Sequence, residues 1–551
     1  MMTRKIGQWV AVLGLMSLAG GAQAEGKKYL VKFKSAQTFR AVAQKVNARP
    51  ALAARPGTLG KMQLFSTNAT VNEALEHVQL LIVESSDAKA IESLRQHPAV
   101  ALVEEEIMHP APQPVATRGG ALPMATKKKI KMDLPWGIIS VKAPEAWAVT
   151  QGEGARVMVL DTGVDSAHPA LMNQIEKVKN FTGSPADVTD EIGHGSHVAG
   201  TILADGGADG LKGVAPKAKL LMGKVCSTTG CPSTAIAAGI NWAVAERVDV
   251  VNMSLGGVFI SSAERQAISA AEAAGVFIAA ASGNDGQPRV SFPAAVDTLT
   301  AVGAINDQSV KADFSNWGPE LDVVAPGVEV ISSVPIGTGR GARVEVDTGK
   351  GLDEVRSMPF VGSPLSNLAG ALVFAGLGKP GDVAGVDLQG KIALISRGEI
   401  SFQDKVNNVL AKGAVGAVIY NNAPGLIQGT LSQDGSEAAI PAVMIEQGLG
   451  ESVKALLASG QAAEVNLAII ATDFASLQGT SMASPHVAGV AALIRSANRQ
   501  LTPAQVRDLL KSTATPLGPN PGNEYGSGLV NADAAVQGAQ ALWRPVLSRA
   551  N

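Results

Sequence analysis

The chain has 551 residues, room for roughly three or four domains at about 150 residues each. Hydrophobic residues make up 46% and charged residues 17%, which allows a large buried core and excludes global disorder. A net charge of −2 gives no footing for a nucleic-acid or acidic-surface partner.

Residues 1–24 read as an export signal: Arg4 and Lys5 make a positive start, 10–18 an apolar stretch, and Ala22-Gln23-Ala24 a small-residue cleavage site. No cysteine follows that site, and no other run of 18 apolar residues occurs. A mature chain with no membrane span is therefore expected, outside the cell or in a periplasm. Residues 27–108 read as a small α+β unit. Alternation at 29–33 predicts a half-buried strand, 91–94 a helix and 100–103 a second strand. Residues 109–134 change character: Pro110, Pro112, Pro114, Gly119-Gly120 and the basic cluster 127–131 predict an exposed linker open to proteolysis.

From residue 135 the rhythm is of short apolar runs (157–160, 220–225, 248–253, 276–281, 299–302) separated by helical stretches such as 233–246 and 262–274. That pattern predicts an α/β fold, a parallel sheet covered by helices on both faces. Cys226 and Cys231 are the only cysteines; five positions apart in an exported chain, they read as a disulfide clamping a surface loop. Two thiols alone do not complete a zinc site. The rhythm breaks after residue 334. Residues 337–472 carry strands of their own (371–375, 391–396, 414–421, 442–445) and two helices (402–412, 448–459), the pattern of an inserted domain. The main rhythm resumes at 474, giving a principal unit over 135–540.

Three polar residues stand where this unit can do chemistry. Asp161 ends the first apolar run, and functional groups collect at the carboxyl ends of parallel strands. His194 is flanked by Gly193 and Gly195, so the backbone can approach closely and the ring can face a cleft. Ser481 lies just ahead of a helix predicted over 487–497, where free N–H groups favour developing negative charge. Serine needs a base to take its proton, a neutral imidazole can do so, and a carboxylate can fix the imidazole's tautomer. Asn284, after a buried run and the Ser282-Gly283 turn, can pair its amide with the Ser481 N–H to bind an oxyanion.

The segments Val159-Leu160-Asp161-Thr162-Gly163-Val164, Gly193-His194-Gly195-Ser196-His197-Val198-Ala199-Gly200-Thr201 and Gly479-Thr480-Ser481-Met482-Ala483-Ser484-Pro485-His486 resemble the three active-site motifs of subtilisin-like serine proteases, in that family's order Asp, His, Ser. One departure is Ser196, where many members have Thr. The resemblance implies a subtilisin-like fold and an Asp161–His194–Ser481 triad with Asn284 as oxyanion donor, His197 being structural. It implies that Ser254-Leu255-Gly256-Gly257 pairs with an extended substrate, that Ser282-Gly283 walls the pocket for the residue before the cut, and that Ser291-Phe292-Pro293-Ala294 floors it. No acidic residue occurs in these segments, so an apolar or broad preference is expected there.

Residues 27–108, with His97-Pro98-Ala99-Val100, are similar to the family's inhibitory propeptide (the I9 type), which implies a maturation cut between about 106 and 133. The insert, through Gly390-Lys391-Ile392-Ala393-Leu394-Ile395-Ser396-Arg397-Gly398 and the segment 413–422, resembles a protease-associated (PA) domain, mostly β or α+β, which would sit over or beside the cleft. The family implies no cofactor for catalysis. It allows structural calcium, for which Asp165, Asp205 and Asp209 offer oxygens without an assignable ligand set. Expected partners are protein and peptide substrates and the chain's own propeptide, with no nucleic acid, no membrane after signal removal, and a monomeric state. A binding protein on a dead scaffold would need a broken triad. An esterase would show the order Ser, Asp, His. A processing protease with one substrate stays open.

Overall fold

The computed structural model describes residues 26–47, 62–64, 67–112, 134–207, 210–347, 351–426, 429–431 and 436–543. The expected signal and residues 113–133 of the expected linker lie outside them.

The N-terminal unit is an antiparallel sheet with two helices: β1 (Lys27–Phe33), α1 (Ala36–Asn47), β2 (Met62–Gln63), β3 (Thr70–Leu75), β4 (Leu80–Ser85), α2 (Ala88–Gln96) and β5 (Val100–Glu105), in the strand order β2-β3-β4-β1-β5. Tyr29, Val31 and Phe33 point to one face and pack with Phe39, Ile91 and Leu94. Asp87 starts α2 by accepting from the N–H groups of Lys89 and Ala90. The half-buried reading of β1 is corrected here. Leu30, on its other face, is 1% exposed and joins Leu80, Ile82 and Val78 in the core of the neighbouring unit. After β5 the chain runs on into β6 (Met108–His109).

The principal unit follows with α3 (Trp136–Ser140), α4 (Ala143–Ala146), β7 (Arg156–Asp161), β8 (Ile175–Asn180), α5 (His194–Leu203), β9 (Lys219–Lys224), β10 (Cys231–Pro232), α6 (Ser233–Glu246), β11 (Val250–Met253), α7 (Ser262–Ala273), β12 (Phe277–Ala281), β13 (Thr300–Ile305) and β14 (Val323–Pro326). Seven of these strands form one sheet, β14-β13-β12-β11-β7-β9-β8, every neighbouring pair parallel. Helices cover both faces of the fully buried runs. The strand order reverses beside β7, so the crevice of a doubly wound sheet opens at the carboxyl end of β7, where Asp161 sits. Two strands escaped the sequence reading: β8 is a polar edge strand, and β14 is four residues long and ends in proline.

The chain then leaves this unit through β15 (Val330–Ser333). It builds β16 (Gly339–Asp347), β17 (Leu352–Val355), β18 (Ser357–Pro359), β19 (Ser366–Phe374), α8 (Pro380–Val383), β20 (Ile392–Ser396), α9 (Phe402–Leu410), β21 (Gly416–Tyr420), β22 (Ala442–Ile445), α10 (Gln447–Ala458) and β23 (Glu464–Thr472), and returns through β24 (Phe474–Leu477). The insert is a mixed sheet, β17-β16-β23-β19-β20-β21-β22-β18, with apolar clusters on its faces. β15 and β24 pair antiparallel and form a neck, closed by Val334 N–H donating to Asp473 O at 2.9 Å. The last elements are α11 (Thr480–Ala497), α12 (Pro503–Ser512) and α13 (Ala532–Ala541). α11 is buried around its whole circumference from Thr480 to Arg495, as expected of a helix at the centre of a large unit.

Cys226 and Cys231 are disulfide-bonded. The surface-loop reading needs correction: both are fully buried, and only the tip at Thr228 and Thr229 is exposed.

Candidate active site

Asp161 and His194 meet across the end of β7 and the start of α5. His194 Nδ1 lies 2.7 Å from Asp161 Oδ1, and both side chains are fully buried. The same carboxylate oxygen accepts from Thr162 N–H at 2.7 Å. α5 can start here because Gly193 takes φ +83° at its N-cap. A Cβ at Gly195 would collide with the Gly163 carbonyl oxygen, so the two motifs touch through bare backbone.

Asp190, which the sequence reading missed, ties this corner together. It accepts from Thr162 Oγ1 at 2.7 Å, from Gly193 N–H at 2.8 Å and from Ser196 N–H at 2.7 Å. An acid a few residues before a predicted helix start was the available signal. Burial opposes charge on His194, but the charge and hydrogen bond of Asp161, with Asp190 behind, hold its pKa above the ordinary imidazole value. With Nδ1–H donating a hydrogen bond to Asp161, the lone pair rests on Nε2, a buried atom without a hydrogen-bond partner among the described residues.

Ser481 sits in the first turn of α11, not ahead of it; the helix runs seven residues further back than the sequence suggested. Pro485 is the reason this turn is special. It has no N–H for the Ser481 carbonyl, which accepts instead from Ser254 Oγ at 2.8 Å. Asn252 Nδ2 donates to Ser254 Oγ at 3.0 Å, and Ser484 Oγ donates to Asn252 Oδ1 at 2.7 Å, so β11 and α11 are joined by one satisfied polar chain. The Ser481 hydroxyl donates to the Ser254 carbonyl at 3.3 Å. Asn284 Oδ1 accepts from Thr480 N–H at 2.8 Å and from Thr480 Oγ1 at 2.9 Å. Two donors on that oxygen fix the amide's orientation and make its N–H2 the end available to the cleft.

A cleft of about 470 Å³ opens beside these groups. Its lining includes Ser254, Leu255, Gly256, Gly257, Gly283, Asn284, Asp285, Ser291 and Ser481. Ser282 does not line it. That side chain is fully buried and donates to Asn316 O at 2.9 Å, holding the wall from behind. Gly283 has φ +106°, and a Cβ there would strike Ser291 Oγ and Asn316 Nδ2. Asn316, also unnoticed in the sequence, donates to Ser291 Oγ at 3.2 Å.

The other wall of the cleft comes from the N-terminal unit: Ile107 to Pro112 line it. Residues 109–112 of the expected exposed linker are therefore part of a packed contact, and His109 is 4% exposed. β6 pairs antiparallel with β10, Cys231 opposite His109. Ser233 N–H donates to Ile107 O at 2.8 Å. Glu104 accepts from the N–H groups of Ser262 (3.1 Å) and Ala263 (2.8 Å) at the start of α7, and Glu106 accepts from Thr234 Oγ1 at the start of α6. Two carboxylates thus meet two helix N-termini. Among the described residues, none of the insert lines this cleft.

The remaining motif histidines are structural in their contacts. His197 Nε2 faces the carbonyls of Val330 (2.9 Å) and Ala475 (3.2 Å), one on each strand of the neck, and burial depresses its pKa to about 3. His486 Nδ1 bonds Met482 O at 2.8 Å, and burial takes it to about 4.

Two of the calcium candidates accept hydrogen bonds from the chain itself. Asp165 accepts from Ala167 and Ile336 N–H groups, and Asp205 from Gly207 N–H and Asn173 Nδ2. Asp209 lies outside the described residues, and among those described no three His, Cys, Asp or Glu side chains cluster as ligands. No described helix is long and apolar enough to cross a membrane.

Comparison with known proteins adds to this geometry. The Subtilase family model matches residues 152–351, which carry Asp161, His194 and Asn284, and the PA domain model matches residues 361–453. Subtilisin E of Bacillus subtilis (strain 168) is 34% identical over 337 residues, 60% of this chain and 79% of that protein. The alkaline protease of Alkalihalobacillus alcalophilus is 28% identical over 549 residues, 97% of this chain and all of its own length. The crystal structure of the psychrophilic subtilisin-like protease Apa1 from the Antarctic psychrotroph Pseudoalteromonas sp. AS-11 aligns with a TM-score of 0.57 and 28% identity, covering 74% of this chain and 99% of that one.

Proposed function

Because this chain belongs to the subtilase family and is a serine endopeptidase with an inserted PA domain, we propose that Ser481 is its nucleophile, His194 its general base and acid, Asp161 the group that orients His194, and Asn284 the side-chain oxyanion donor. The observation that carries the reading is the 2.7 Å bond between His194 Nδ1 and Asp161. It fixes the tautomer that leaves Nε2 free to accept a proton.

In the first step the Ser481 hydroxyl turns from the Ser254 carbonyl towards Nε2. Its oxygen bonds the scissile carbonyl carbon while its proton passes to His194. The tetrahedral oxyanion receives the Asn284 amide and the Ser481 N–H. Collapse breaks the C–N bond, and the departing amine takes the proton from His194. Water then repeats the sequence on the acyl-enzyme. Substrate lies extended along Ser254, Leu255 and Gly256, with Gly283 and Ser291 at the pocket for the residue before the cut. Those segments carry no acid, and Asp285 is the one carboxylate among the described residues that line the cleft, so an apolar or broad preference is our reading there.

The N-terminal unit, residues 27–108, acts as a prosegment. Its tail from Ile107 to Pro112 runs through the cleft in place of substrate, so the protein is made inactive and matures by cleavage after that tail. The leader at 1–24 directs export. One chain supplies the whole site, in keeping with a monomer.

The test is labelling by a fluorophosphonate, with casein digestion in parallel. The matured protein should label on Ser481 and digest casein. Ser481→Ala should lose both by several orders of magnitude and remain unprocessed. A folded, matured protein that does not label at Ser481 would refute the assignment.

A further inference from the structure

His109 and Glu264 make a buried side-chain contact that the reaction does not use. His109 Nε2 lies 2.9 Å from Glu264 Oε1, with side chains only 5% and 4% exposed. Glu264 sits in the first turn of α7. Its Oε2 accepts from Ser261 N–H at 3.0 Å, and its own N–H donates to Ser261 Oγ at 3.0 Å. The capping box therefore holds the carboxylate in place and occupies one oxygen. The other oxygen has His109 as its partner.

His109 is a residue of the cleft. It lies on β6, paired with Cys231, and its neighbours Met108 and Pro110 line the same space as Ser481 and Asn284. A Cβ on Gly257 would come within 3.2 Å of its ring, and Gly257 is itself fixed by two backbone hydrogen bonds to Phe292, of 2.8 and 2.9 Å. The imidazole thus fills a small recess between a rigid backbone wall and a carboxylate that cannot swing away.

When the prosegment leaves, this recess empties, and a buried carboxylate oxygen loses its partner. A substrate side chain entering it either restores a donor or covers the oxygen unpaired, and the second case is costly. We propose, on the protease reading above, that Glu264 is a specificity-determining residue of the mature enzyme, selecting a protonated nitrogen side chain (lysine, arginine or histidine) at the substrate position that pairs with Cys231. This position is distinct from the pocket at Gly283 and Ser291, so a broad taste immediately before the cut and a basic preference further upstream coexist.

Digestion of a peptide library by the matured enzyme, with sequencing of the products, tests this. Basic residues should be enriched at one fixed position on the amino side of the cut. For matched peptides, kcat/KM with lysine, arginine or histidine there should exceed that with leucine by about tenfold or more. In Glu264→Gln, which keeps the acceptor of the capping box, the ratio should fall to near one while the leucine peptide is cleaved as well as before. Fluorophosphonate labelling of the variant at the wild-type rate shows its site to be intact. The wild-type library decides by itself if the variant does not mature. Cleavage without a basic preference at any upstream position, or a preference that persists in Glu264→Gln, overturns the inference and leaves the protease reading standing. No cleavage of any peptide by the wild type would overturn both.

Discussion

The amide of Asn284 and the imidazole of His194 each give a quantitative expectation. Asn284→Ala removes one of two proposed oxyanion donors, and its Oδ1 contacts to Thr480 are lost with it. Removal of such a donor from a subtilisin, a relative of this chain, lowers turnover by about 10² to 10³. A kcat loss of that order, with KM little changed, is expected from steady-state kinetics on a peptide; an unchanged kcat would place the oxyanion elsewhere. As the proposed base, His194 would work only when neutral, and its pKa is raised. Activity should therefore fall as pH drops through a value above the ordinary imidazole figure of about 6.5. The acid limb of kcat/KM against pH reads that value directly, and a limb below 6.5 would contradict the Asp161 pairing.

Helix starts dominate the chemistry at the scale of elements. α5 begins at His194, α11 at Thr480 beside Ser481, and the first turns of α6 and α7 receive the tail of the N-terminal unit. Glu104 caps α7 across the interface, a contact worth about 1 kcal/mol for a carboxylate at a helix N-terminus. If the N-terminal unit is the proposed prosegment, Glu104→Ala should hold it several-fold less tightly once cleaved. The lag between self-cleavage and full casein-degrading activity should shorten accordingly, and an unchanged lag would show that the capping contact does not retain it. Ser333 at the end of β15 and Phe474 at the start of β24, 141 positions apart (474 − 333), are brought together by another element-level device. α5 carries His194 towards the cleft and, one turn on, His197 into the neck formed by β15 and β24. The histidine of the proposed triad and a contact to the base of the insert thus share one helix.

At the scale of the molecule, the insert hangs on that two-stranded neck, while the cleft is lined by the principal unit and the N-terminal tail. Replacing residues 337–472 by a short loop closes β15 and β24 into a hairpin, their ends being already hydrogen-bonded. Cleavage of a short peptide should then stay within a factor of about three of the full protein, since distant sites act nearly independently. Digestion rates on folded proteins report any selection that the insert exerts. Loss of peptide cleavage in a folded excision variant would show that the neck shapes the site.

Several features were legible in the sequence because they are local. Strand and helix periods gave most of the central sheet, α6 was read to the residue, and the insert was visible as an interruption of rhythm. The three motifs marked Asp161, His194 and Ser481 because glycines and small residues around a polar side chain leave a pattern along the chain. What the sequence left dark depends on partners far away in number. Asp190 and Asn316 matter through the backbones and side chains they meet. The second buried face of β1 exists only where another unit covers it, and the surface loop at Cys226 is buried for the same reason. Along the chain Glu264 is one residue of the helical stretch 262–274, and nothing there marks it out. Only the fold brings His109, 155 residues earlier, onto its free oxygen, because a carboxylate's role is set by what shares its desolvated space, and that is decided by packing.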